Sequence, residues 1–173
     1  MAPIPTRRQV VLAAAAALPL AAVSGCGGLD VIGTPPPPPR DVELLQAAIA
    51  AEQLMVDRYH AVLAGVGTSS PGLAPALTPL LSQHQQHLAQ LRARLVIPRG
   101  SAASVPPSPS PPGTPAAPAD PAAAVAFLKE AEQAAATAML GRLPQAPAAL
   151  AQLFASVSAS EATHVPALAA VSP

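Results

Sequence analysis

Three glutamates and three histidines of this 173-residue chain fall where a buried leucine is expected. Along residues 41–65 the apolar stripe reads Leu45, Ile49, Glu52, Val56, Tyr59, Val62. Glu52 is seven residues from both Leu45 and Tyr59, so all three share one helix face. Along 74–96 the series is Leu77, Leu80, His84, Leu88, Leu91, Leu95, with His87 on the same face. Residues 121–143 give Val125, Leu128, Glu132, Ala135, Met139, Leu143, and residues 147–169 give Leu150, Phe154, Val157, Glu161, His164, Leu168. An ionised carboxylate buried alone costs several kcal/mol even after relaxation. Such groups must neutralise one another, be fully hydrogen-bonded, or bind cations. Carboxylate with imidazole suits iron, manganese or zinc.

Composition narrows the surroundings of these six groups. Only 10% of residues are charged, so three carboxylates and three imidazoles aligned in apolar stripes are not background polarity. Aromatic residues make up 2% of the chain and its formal net charge is zero, which excludes a base-stacking platform or a basic nucleic-acid footprint. The single Cys excludes an internal disulfide framework and paired-cysteine zinc sites. No nucleophile-elbow or phosphate-loop pattern occurs. Abundant alanine and scarce β-branched and aromatic residues predict an all-α chain.

Four helices must position the groups. Asp41 is an expected N-cap for the first (41–65); the second (74–96) carries Pro75 and Pro79 near its start, which leaves its first turns uncertain. Asp120-Pro121 opens the third, and Pro166 is expected to bend or loosen the last turn of the fourth. The halves repeat. Ala51-Glu52-Gln53 matches Ala131-Glu132-Gln133, and residues 82–87 fall on 159–164. Each half is therefore a helical hairpin, and antiparallel packing puts its polar groups at nearly one height. A Pro-rich tract at about 97–119 joins the hairpins, long enough to cross the bundle from end to end.

This arrangement resembles the ferritin-like carboxylate di-metal family over roughly residues 41–170. More narrowly, it is similar to the ferritin-like domain of unknown function in lipoproteins of high-GC bacteria. The resemblance implies a four-helix bundle with a Glu on each of two helices and a Glu-x-x-His on each of the others. Glu52 and Glu132 match the single positions, and Glu161 with His164 matches one Glu-x-x-His. The second helix departs, because His84 stands where a bridging Glu is expected, giving His84-x-x-His87. The metal ligands so implied are Glu52, His84, His87, Glu132, Glu161 and His164, holding one or two ions of iron or manganese, or zinc less readily. Oxidase or peroxide chemistry is the activity this family suggests. A metal-free polar network fixing helix register, in a protein that binds a partner, is the alternative. Tyr59, two helical turns from Glu52, is expected to pack with its hydroxyl toward solvent, the alternative being a place near a redox centre. His60 reads as surface, Asp57, Arg58, Glu130 and Arg142 as solvated charges, and Phe127 and Phe154 as core.

The first residues read as an address. Thr6-Arg7-Arg8-Gln9 precedes an apolar run over 10–23, which at ~1.5 Å per residue is too short for a ~30 Å hydrocarbon core. Val23-Ser24-Gly25-Cys26 resembles a bacterial lipobox, which makes 1–25 an export signal and Cys26 the lipid attachment site. The paired arginines also resemble a twin-arginine signal. Residues 26–40, with five consecutive prolines, are expected to be an extended tether. The expected location is the outer face of the cell membrane, with the lipid anchor in the bilayer, no nucleic-acid partner, and a protein partner or homodimer open.

Overall fold

Runs of alanine, leucine and glutamine build four α-helices: α1 (Arg40–Val66), α2 (Leu73–Arg94), α3 (Pro121–Gly141) and α4 (Ala148–Ala169), with a single 3₁₀ turn at Leu143–Gln145. This computed structural model describes residues 38–66, 70, 72–99 and 116–171, and no strand occurs among them. The all-α, four-helix expectation holds. The export signal, the Cys26 lipobox and all but the last residues of the tether lie outside the described residues.

Two apolar clusters mark the two ends of the bundle. One gathers Val62 and Val66 of α1, Leu73 and Leu77 of α2, Ala124 and Leu128 of α3, and Leu168 of α4. The other gathers Leu45 and Ala48, Leu91, Met139, Leu150 and Phe154. Late α1 thus meets early α2, early α3 and late α4, which makes α1–α2 and α3–α4 antiparallel hairpins. The hairpins also touch through α1 and α3. Leu95 packs on the second cluster and Ala117 on the first. The chain therefore leaves α2 at one end of the bundle and enters α3 at the other.

Local signals account for most helix ends. Asp120 accepts a hydrogen bond from the Ala123 backbone N–H at 2.8 Å, and Pro121 sits where no donor is needed. Asp41 does not cap α1. The helix begins one residue earlier, the Pro39 carbonyl accepts from the N–H groups of Val42 and Glu43, and Asp41 lies in the first turn beside the positive helix end. α2 runs unbroken through Pro79, and α4 through Pro166, whose carbonyl accepts from the Ala170 N–H. α3 stops at Gly141, so Leu143 packs on the second cluster from the 3₁₀ turn rather than from a helix.

Candidate metal centre

Between the two apolar clusters lies one polar layer. Its members are Glu52 from α1, His84 and His87 from α2, Glu132 from α3, and Glu161 and His164 from α4, all buried. Donor atoms of Glu52, His84, His87, Glu132 and His164 form two overlapping groups, and Glu161 belongs to neither. His84 is the hub. Its Nδ1 is 2.9 Å from Glu52 Oε2 and its Nε2 is 2.8 Å from Glu132 Oε1. His87 Nδ1 stands 3.7 Å from Glu52 Oε1, too far for a hydrogen bond. On the other side, His164 Nδ1 is 3.1 Å from Glu132 Oε1. The rings of His87 and His164 both meet His84 edge-on, with centroids 5.8 and 5.1 Å away.

Electrostatics divides the three carboxyls. Burial works to raise Glu132, but hydrogen bonds from His164, His84 and Tyr59 outweigh it and hold the group at about 2. Burial is likewise overcome at Glu52, which the imidazoles of His84 and His87 pull below the usual range. Glu161 has no such support. Burial and the neighbouring Glu52 carboxylate push it up to about 9. Burial disfavours a charged His84, yet the carboxylates of Glu132 and Glu52 raise it to about 9.

Surrounding groups orient the layer, and several were not legible in the stripe pattern. Tyr59 is fully buried, contrary to the expected solvent-reaching hydroxyl, and donates to Glu132 Oε1 at 2.5 Å. His164 Nε2 lies 3.1 Å from Gln83 Oε1, which also accepts from the Ser160 hydroxyl. The Gln83 carbonyl oxygen on one ring nitrogen and Glu132 on the other fix the orientation of the His164 ring, the way a second partner fixes a metal-bound imidazole. Ser158 is buried and donates to the Ala136 carbonyl, tying α4 to α3. Arg142 and Arg58 are half-buried rather than solvated. Arg142 reaches the Ala47 carbonyl, and Arg58 stacks 5.8 Å over the ring of Phe127, which is itself only partly buried. His60 and Glu130 are exposed as expected.

Four buried polar atoms of the layer have no hydrogen-bond partner: Glu52 Oε1, His87 Nδ1, Glu132 Oε2 and Glu161 Oε2, one from each helix. Leaving each unmade costs about 1–3 kcal/mol. Donor spacing also fits a metal. Bonds of about 2.0–2.2 Å at angles near 90–110° put neighbouring donors about 2.8–3.6 Å apart. Three contacts of 2.8, 2.9 and 3.1 Å lie in that range, and the 3.7 Å contact lies just beyond it. Two three-residue groups hold donor atoms within 4.8 Å of one another: Glu52, His84 and His87, and His84, Glu132 and His164.

A family model for the ferritin-like domain matches residues 40–172, covering all four helices. The chain belongs to this family. No curated protein and no solved structure matches the chain. Within this ferritin-like bundle α4 carries Glu161-x-x-His164 and α2 carries His84-x-x-His87.

Proposed function

We propose that this protein is an exported lipoprotein whose ferritin-like bundle binds one or two transition-metal ions, iron or manganese, at the mid-core layer. The observation that carries the reading is the set of four partnerless buried oxygen and nitrogen atoms in the layer, one per helix. In a folded protein most buried polar atoms find a partner, and bound cations would supply the partners missing here. Glu52, His84, His87, Glu132, Glu161 and His164 would hold it, and bound iron or manganese supplies one-electron chemistry toward oxygen or peroxide.

The chain's own residues prepare the site. Tyr59 and Gln83 fix Glu132 and His164 before any ion arrives. Glu161 holds a proton that it must surrender on binding, so uptake is coupled to proton release. His87 is the least enclosed ligand, its side chain 11% exposed, and marks the side on which an ion enters. The lipobox supports the anchor: Cys26, the lone Cys, stands where lipid attachment requires it.

Elemental analysis of untagged protein after incubation with Fe(II), Mn(II) and Zn(II) tests the site. The expected result is one or two equivalents of metal, lost in Glu132→Ala and His87→Ala. A metal-free wild type, with the bundle intact, returns the layer to a purely structural network in a partner-binding lipoprotein. Labelling with a lipid precursor tests the anchor, and Cys26→Ala is expected to abolish incorporation.

A further inference from the structure

The family template has four carboxylates, enough to balance two divalent ions, and this chain has three. The residue in the fourth position is the one ring shared by both donor groups. Glu52 and His87 face its Nδ1 side, Glu132 and His164 its Nε2 side. We propose that His84 bridges two metal ions through its imidazole ring, with Glu52 and His87 completing one site and Glu132 and His164 the other.

This inference rests on the metal-binding reading above and goes beyond it. Each ring nitrogen of His84 donates one lone pair to one ion. For both nitrogens to do so, every ring N–H proton must leave to solvent, and the ring becomes an imidazolate. Three carboxylates and one imidazolate then carry four negative charges, the complement of two divalent cations. The substitution at position 84 thus restores the charge that the missing carboxylate removed. A rigid ring with donors on opposite edges also holds the ions farther apart than the about 3.5–4 Å typical of two-metal sites. The Tyr59 ring, 5.3 Å from that of His84, and the edge-on rings of His87 and His164 keep His84 in the orientation that serves both sides.

The test loads the metal-free full chain, grown with nitrogen-15 histidine, with cadmium-113 as the probe ion, and reads ring nitrogens by NMR. Two cadmium ions per chain are expected. One histidine should have both ring nitrogens split by cadmium, two should have one each, and His60 none. His87→Gln and His164→Gln should each remove a singly split ring and leave the doubly coupled one assignable to His84. One cadmium per chain, or two with no doubly split ring, overturns the bridge while metal binding stands. No cadmium retained overturns both.

Discussion

At the scale of single residues, the decisive contacts are those that choose a lone pair. Glu132 Oε1 gathers Tyr59, His84 and His164, so its second oxygen is left to face the layer alone. Gln83 does the equivalent for His164. Removing this outer partner while keeping every ligand should loosen the site without unfolding it. Gln83→Ala is expected to weaken metal affinity about tenfold or more, read by competition against a chromophoric chelator, with an unchanged circular dichroism spectrum. An unaltered affinity would show that His164 is oriented by something else. The six layer residues were legible in the sequence because each interrupts an apolar stripe. Gln83 and Tyr59 were not. Glutamine beside a stripe is ordinary surface composition, and a tyrosine in a stripe does not reveal where its hydroxyl points.

At the scale of elements, the hairpins place every layer residue by register, and register survives two internal prolines. Pro79 is exposed on α2 and has no N–H for the carbonyl of Pro75 one turn back. Pro79→Ala restores that donor at a position with room for it. The expected gain is about 1–2 kcal/mol in urea unfolding, the helix-interior penalty of proline reduced by the chain entropy it removes. No gain would mean that the carbonyl already has another partner. Asp120 and Pro121 announced the start of α3 because capping chemistry is local. The end of α3 and the start of α1 each moved by a residue or two. There the deciding groups, Gly141 with its 3₁₀ turn and the Pro39 carbonyl, carry no distinctive sequence signal.

At the scale of the whole molecule, the buried layer ties stability to pH. His84 is raised from 6.5 to about 9, so its stabilisation is complete below 6.5 and is lost as pH climbs through about 9. Glu161 is raised from 4.5 to about 9, so the fold favours its protonated form and weakens from above pH 4.5 up to about 9. Glu132, held at about 2, contributes fully above 4.5 and fails only as pH falls toward 2. The metal-free bundle should therefore be most stable near pH ~5 and lose Tm on the order of 10 °C by pH ~9. Glu161→Gln should flatten that slope. Bound divalent metal should oppose it, since deprotonation then favours binding. Calorimetry of the metal-free chain across this range checks the sign, and a Tm that rises from pH ~5 to ~9 contradicts it.

The sequence by itself determined the helices, the pairing of two similar hairpins and the identity of the six polar residues in the core. Periodicity and capping are short-range, and repetition shows directly in the residues. Only the tertiary structure decided which groups touch. It made His84 the hub between Glu52 and Glu132, separated a protonated Glu161 from two ionised partners, and drew Tyr59, Gln83 and Arg142 inward. Those outcomes depend on ångström distances between side chains from different helices, and on the low dielectric that burial creates around them.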